Sequence, residues 1–439
     1  MAERSLLAAV SGIQANQTYL DEIGNNIANA DTVGYKEGTV QFGDLLNEQI
    51  TGATAPTTGT GGINPVAVGS GVRVSAVATQ LSEGSLAVTG QATDVAITGS
   101  GYLVLKSNGQ QLYTRNGALT VDASGDLTTL SGGQVQGWQA NAAGTVNSNA
   151  PIGAITIPKG ETIAAAASTE ITLSGNLKAW GGSGTGTTAT STINAYDSLG
   201  NVIPVTVTLT PVATKPDEWS VSATAKKPNG TTVQLFTTTT PPLLHFDAGT
   251  GQLAKTTPIT TGTVSTKTTG AIALSVKTMP TGYTFPAGDK WAIDFPKPGT
   301  SAAVTQFAAQ KTFQLTGTDG YQSGSLQSYS IGGNGIVTGS FSNGKTQSIA
   351  QLALAGFANP SGLADVGNGL LSTSPNSGQP QIGIPGSGVL GSLLGGQLEQ
   401  SNVTMGAELT DLITAQEAYQ ANTKVISTTQ QMVQSLEAV

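Results

Sequence analysis

Cysteine is absent, which excludes disulfides and thiolate metal sites. A single histidine, His245, leaves no material for a histidine metal cluster or a serine–histidine triad. Charge is scarce as well: Asp, Glu, Lys and Arg make up 10% of the chain, against about 25% in an ordinary soluble domain. What charge there is sums to −8 without a basic patch, so nucleic acid is not an expected partner. No window approaches 18 consecutive apolar residues, so membrane insertion is not expected either. Met1 to Ile27 has no basic run followed by an unbroken apolar stretch, so no signal peptide is expected. The chain reads as cytoplasmic, or as leaving the cell by a route that needs no cleaved signal.

The hydrophobic fraction of 38% is enough to build cores, and 439 residues suggest two to four domains. Gly accounts for 58 of the 439 residues, about 13% against the usual ~7%. Thr is abundant between residues 160 and 275. Gly, Thr and alternating small apolar residues predict many short strands joined by tight turns. A surface this poor in charge suits permanent neighbours.

The two ends predict helices. Leu6, Ile13, Leu20 and Ile27 are seven apart, with Ala9 and Ile23 at the other seam position and Asn16 between them. The segment has no Pro and stops near Asp31-Thr32-Val33-Gly34. At the other end Leu412, Tyr419, Ile426 and Val433 are also seven apart, with Leu409, Gln416, Thr423 and Gln430 as the companion row. Such spacing fits an intramolecular coiled-coil hairpin or core helices, and it equally fits association between subunits. The polar companion row favours a role in fixing register among several neighbours. A helix of roughly 28 residues spans about 42 Å, long enough to line a tube wall.

From about residue 70 to 390 the chain reads as strands and turns. Val205, Val207 and Leu209 alternate with Thr206 and Thr208, and Trp219, Val221, Ala223 and Ala225 alternate in the same way. Asn116-Gly117, Asn229-Gly230 and Asn343-Gly344 are hairpin turn candidates. Residues 51–62 and Gly181 to Gly186 read as flexible Gly/Thr-rich loops.

Ser11-Gly12-Ile13, Leu20-Asp21, Ile23-Gly24-Asn25-Asn26-Ile27-Ala28-Asn29, Thr32 and Gly34-Tyr35-Lys36 together resemble the N-terminal motif of bacterial flagellar rod and hook proteins. Leu398-Glu399-Gln400-Ser401-Asn402-Val403, Glu408-Leu409, Leu412-Ile413, Ala415-Gln416, Ala418-Tyr419-Gln420-Ala421-Asn422 and Lys424-Val425-Ile426 resemble that family's C-terminal motif. Three middle features resemble the hook pattern rather than the rod pattern: Asp319-Gly320-Tyr321 with Ser323-Gly324, Tyr329-Ser330-Ile331-Gly332, and Gly339 to Gly344 with Thr346-Gln347. Tyr196 to Asn201 resembles a turn of an outer hook domain, and Arg115 after Tyr113-Thr114 resembles a family position. Distal rod proteins lack a large insert where this chain has residues 160 to 310.

The resemblance implies a multidomain α+β chain that leaves a tube axis, visits outer domains and returns. Paired N- and C-terminal heptad helices (1–30 and 405–439) would form an inner helical layer. Residues 31–75 and 375–404 would form a connecting arm, 76–158 and 310–374 an inner β domain, and 159–309 an outer one, all mainly antiparallel. The crossings would fall near Pro151 to Pro158 and Ser301-Ala302-Ala303. The implied function is that of a structural subunit of the flagellar hook, a curved flexible tube passing torque from the rod to the filament. Its implied partners are itself, as a helical homopolymer, and the flagellar rod, hook cap, hook–filament junction proteins and export apparatus. Its implied location is the basal body and hook, outside the cell after export through the flagellar channel. The residues assigned to self-assembly are Leu6, Ile13, Leu20, Ile23, Ile27, Leu409, Leu412, Tyr419, Ile426 and Val433. The family motif residues are Gly24, Asn25, Asn26, Asn29, Gly34, Tyr35, Ser401 and Asn402. In a lone chain such helices are expected to have little to bury against and to order on assembly.

No cofactor, metal or catalytic residue is expected. Asp94, Asp122, Asp126 and Asp319 could pair as glycosidase carboxylates, but Asp beside Gly in strand–turn folds is a turn residue. Gly99-Ser100-Gly101 and Gly332 to Gly335 lack the following Lys-Ser/Thr of a phosphate loop. The alternatives to a hook subunit are a distal rod subunit and a secreted β-rich adhesin; the latter would need a signal peptide and no paired terminal helices.

Overall fold

A computed structural model describes residues 2–56, 58–158, 160, 162–181, 186–236, 241–254, 264–266, 272–276, 278–286 and 290–437. Two compact units divide the chain: residues 1–159, 328–339 and 346–439, and residues 160–327 and 340–345.

The first unit carries both terminal helices, α1 (Ala2–Ala28) and α2 (Met405–Glu437). Both arise where the seven-residue spacing runs without Pro. Asn29 ends α1 by donating from Nδ2 to the Asn25 carbonyl at 3.0 Å. The helices pack against each other in one chain and run antiparallel. Asn26 reaches Glu408 at one end of the contact, and at the other a Cβ on Gly12 would stand 2.8 Å from the Asn422 side chain. The expectation that they would have little to bury against in a lone chain is therefore corrected: each packs one face on the other, as an intramolecular hairpin of helices would.

After α1 the chain makes a long antiparallel hairpin. Gly38–Asp44 pairs with Val72–Thr79, Glu48–Thr51 pairs with Val66–Val68, and Thr54 bridges Ile63. The Gly/Thr-rich 51–62 stretch is therefore, among its described residues, the tip of a ladder and not a free loop. The root of this arm lies on α1, where Tyr19 and Phe42 meet edge to face at 5.7 Å and Ser11 Oγ accepts the Val72 N–H at 3.2 Å. Of the Gly181 to Gly186 loop, residues 182–185 lie outside the described residues.

The β core of this unit is built on Tyr102–Ser107, whose partners include Gln110–Thr114, Gln134–Gln139 and Leu354–Gly356, all antiparallel. Val95, Ile97, Leu103, Leu105, Leu127, Val135 and Ile155 are fully buried there. The tight turn is Asn108-Gly109, with φ of +50° and +81° as a type I′ hairpin requires. Asn116-Gly117, expected as a hairpin turn, joins strands that do not pair. Asn116 instead accepts the Ala118 N–H, and the Gly117 carbonyl accepts from Val95.

The second unit has its own core. Val202–Pro211 pairs with Ala189–Tyr196 and Glu218–Lys226, and the alternation seen in the sequence puts Val205, Val207, Leu209, Trp219, Val221 and Ala223 inside. Asn229-Gly230 closes the hairpin from Glu218–Lys226 to Thr232–Gln234, as expected. A second sheet is centred on Glu170–Lys178. It pairs parallel with Ala292–Phe295 and Val304–Phe307 and antiparallel with Gln314–Thr318. One hydrophobic cluster joins the two sheets. Residues 310–327, placed by the sequence with the first β region, group with this unit because Gln314–Thr318 adds to its sheet.

Candidate assembly site

The faces of α1 and α2 sort the residues expected to assemble. On α1, Ile23 is buried, and Leu6, Ile13, Leu20 and Ile27 are half-buried. On α2 the row turned toward α1 is Glu408, Ala415, Asn422 and Thr429, all buried except half-buried Asn422. Leu412 and Ile426 flank it, half-buried. Leu409, Tyr419 and Val433 are exposed in the single chain, and so are Leu7, Ile413, Val425 and Met432. Leu409 is 47% exposed, Ile413 58% and Met432 57%. The seam within the chain is thus the row one residue before Leu409, Gln416, Thr423 and Gln430. Large apolar side chains of α2 are thus left exposed on more than one of its faces.

The family motif residues converge where the helices meet the strands. Asn26 is buried and fully used: Oδ1 accepts the Gly38 N–H at 2.9 Å and the Tyr35 hydroxyl at 3.1 Å, while Nδ2 donates to the Gly38 carbonyl at 2.8 Å and to Glu408 Oε1 at 3.2 Å. Burial pushes the Tyr35 hydroxyl up to about 12, helped by the nearby carboxylates of Glu22 and Glu408. Asn402 accepts the Glu37 N–H at 2.8 Å and donates to the carbonyls of Gln80 and Ser82. Ser401 is buried and caps its own turn by accepting the Val403 N–H. Gly34 donates to the Glu399 carbonyl at 2.8 Å. Gly24 and Asn25 are exposed, and a Cβ on Gly24 would touch nothing within 4 Å.

Glu399 lies at the centre of this convergence with no solvent exposure of its side chain. Its Oε1 accepts from Lys36 Nζ at 2.6 Å and from the Gly84 N–H at 3.0 Å, and Arg115 Nε stands 3.8 Å from Oε2. Lys36 also donates to the Ser82 carbonyl at 2.6 Å, and Arg115 stacks over the Tyr102 ring at 5.9 Å. Burial pushes the Lys36 ammonium down, against the pull of Glu399. The sequence marked Lys36, Glu399 and Arg115 only as parts of motifs. For Arg115 and Glu399 the available signal was an ion in a segment otherwise short of charge, and such an ion is kept inside only when paired.

The carboxylates considered for catalysis are occupied in local structure. Asp122 Oδ1 accepts the N–H groups of Ser124 and Asp126, and Asp126 accepts from Thr156 and Gln134. Asp319 Oδ1 accepts the N–H groups of Thr169 and Glu170. Burial raises the Asp319 carboxyl, but the bonds from Thr169 and Glu170 outweigh it and hold the group below its ordinary value. Asp94 is buried in the first unit. His245 Nδ1 lies 3.6 Å from Glu218 Oε1. Among the described residues no cluster of three or more His, Asp or Glu could hold a metal, and no helix is long and apolar enough to cross a membrane.

Comparison with known proteins places these features. The flagellar hook protein FlgE of Treponema pallidum is 36% identical over 99% of this chain and 98% of its own. The chain belongs to the flagellar hook protein family. The FlgE proteins of Borreliella burgdorferi and Salmonella typhimurium are each 32% identical, over 99% and 98% of this chain and 98% and 99% of theirs. Four family models match in order: flagella basal body rod protein at residues 6–36, flagellar hook protein FlgE/F/G D1 domain at 96–179, flagellar basal body protein FlaE D2 domain at 181–321, and flagellar basal body rod FlgEFG protein C-terminal at 394–439. A crystal structure of Helicobacter pylori flagellar hook protein FlgE2 aligns with a TM-score of 0.48 at 14% identity, covering 70% of this chain and 98% of that one. A likeness that distant carries no argument.

Proposed function

We propose that this protein is the structural subunit of the bacterial flagellar hook, polymerising with itself into a curved, flexible tube that carries torque from the rod to the filament. The observation that carries this reading is the match to hook proteins along the whole chain, insert included. A distal rod subunit is the second reading, because the models matched by both ends are named for the rod. The full-length relatives favour the hook. The chain acts by packing and not by catalysis, with the flagellar rod, hook cap, hook–filament junction proteins and export apparatus as its partners. Its place is the basal body and hook, outside the cell after export through the flagellar channel.

Within the polymer, residues 1–30 and 405–439 form the inner helical layer. Residues 31–75 and 375–404 form the connecting arm, and the β regions form the layers beyond it. In support, the exposed apolar side chains of α2 and the open surface at Gly24 and Asn25 are left uncovered by the chain's own fold. Other copies cover them, and Leu409, Ile413, Tyr419, Val433 and Met432 contribute the buried area.

Electron microscopy of basal bodies from cells lacking the gene tests this. Complete rods ending bare where the curved tube should begin are expected. Rods cut short inside the envelope would make this a rod subunit.

A further inference from the structure

Only two stretches of backbone connect the terminal helices and their hairpin arm to the rest of the chain: residues 80–84 on the way out and 398–402 on the way back. Both lie in the first unit. They run side by side, closed by pairing of Leu86–Val88 with Gln397–Glu399 and by Gln400 N–H donation to the Ser85 carbonyl at 2.8 Å. They lie so close that a Cβ on Gly84 would stand 1.9 Å from the Gln400 carbonyl oxygen. Every force passed through the covalent chain between the helices and the β strands crosses this neck.

The neck is also where the ions are. The Glu399 carboxylate ties four segments at once: its own strand, the turn after α1 through Lys36, the outgoing strand through the Gly84 N–H, and the Gln110–Thr114 strand end through Arg115. Lys36 adds the Ser82 carbonyl, and Asn402 joins residue 37 to residues 80 and 82. The side chains of Lys36, Arg115 and Glu399 are 8%, 7% and 0% exposed. A neck meant to swivel would leave its polar groups to water. Here Lys36, the Gly84 N–H and Asn402 bond across the joint out of reach of water, and Arg115 faces Glu399 Oε2 as an ion pair at 3.8 Å without a hydrogen bond, so rotation breaks buried, charge-assisted contacts.

We propose that Glu399 is the positioning residue of a torsional lock: together with Lys36, Arg115 and Asn402 it makes the neck a rigid coupling, so that twist passes between the terminal helices and the β strands without being absorbed there. The flexibility of the polymer then resides elsewhere than in this joint. The proposal rests on the reading of the chain as a torque-bearing hook subunit.

The test uses the full chain carrying Glu399→Gln, which keeps the shape and an acceptor for Gly84 but leaves two buried cations without their counter-ion. Hydrogen exchange of the monomer is expected to accelerate by about 100-fold at the amides of Gly34, Gly84 and Gln400, with the Tyr102–Ser107 ladder unchanged. The double variant Glu399→Gln/Lys36→Met removes one of the stranded cations and is expected to recover part of that protection. Hooks assembled from Glu399→Gln are expected to be torsionally softer, read from the angular fluctuations of a bead on a locked motor. If Glu399→Gln is not exported, Lys36→Met is measured in its place. Unchanged neck exchange overturns the lock, and so does a loosened neck in hooks of unchanged torsional stiffness. Hooks that still form in cells lacking the gene would sink the functional reading while leaving the exchange result standing.

Discussion

Gly34 sits at φ +72° with the backbone of Arg115 and Asn116 3.0 Å from where a Cβ would stand. Both the left-handed conformation and the close approach require glycine. Gly34→Ala should lower monomer stability by about 1–2 kcal/mol from the conformation alone, seen as a lower urea midpoint at unchanged slope. The ionisable residues make a second prediction. Burial pushes Glu22 and Glu408 upward, so each adds stability that is complete below its ordinary value of 4.5 and lost as pH rises through its raised folded value. Glu37, Asp411 and Glu22 face Glu408 and add to its shift, while the Asn26 bond opposes it. Asp197 goes the other way. Burial raises it, but hydrogen bonds from Asn201, Thr284 and Leu199 outweigh that and hold it low. Asp197 and Asp319 therefore stabilise the second unit above 3.8, and that stability is lost as pH falls through their lowered folded values. Between neutral pH and about 4.5 the α1–α2 contact should tighten, and under stronger acid the second unit should weaken. Amide exchange of the α1–α2 contact and fluorescence of Trp219 and Trp291 would follow the two separately. Opposite signs for either unit would contradict these assignments.

The seven-residue spacing announces both helices because apolar residues repeat in register with the turns of an α-helix. It cannot say which row meets which partner. Glu408, Ala415, Asn422 and Thr429 hold the contact within the chain although that row is small and polar, because Gly12 opposite them allows a close approach and Asn26 donates a hydrogen bond to Glu408. Of the more apolar row, Leu412 and Ile426 are half-buried beside that contact, and Tyr419 and Val433 stay exposed. Strands were legible where Val and Thr alternate, as in Val202–Pro211, since period two is unambiguous there. Turns were less so: Asn-Gly at 116–117 serves a loop, whereas Asn108-Gly109 makes the hairpin, and only the pairing of the flanking strands distinguishes them. The junction was visible as motif and invisible as geometry, because Lys36, Gly84, Arg115 and Glu399 come from four distant stretches. A prediction belongs to the helix faces. Ile413→Asp, at an exposed position of α2, should change monomer stability by no more than about 0.5 kcal/mol yet prevent polymerisation. Leu20→Asp and Ile426→Asp, half-buried in the α1–α2 contact, should weaken both. Sedimentation of assembled polymer beside thermal melts of the monomer separates the two effects. Polymer of normal yield from Ile413→Asp would remove that face from the assembly surface.

Two separate cores imply two separable unfolding events in the monomer. Trp219→Ala, in the core of the second unit, should cost about 3–5 kcal/mol and lower one calorimetric transition while leaving the other in place. A single transition that moves as a whole would mean that the units unfold together. The central claim is that the chain assembles through the faces its own fold leaves bare, and a helical reconstruction of isolated hooks tests it most directly. The account predicts a tube built of this chain, with α1 and α2 in its innermost layer and Leu409, Ile413 and Met432 buried between copies. Those side chains facing open channel or solvent in the assembled tube would contradict it.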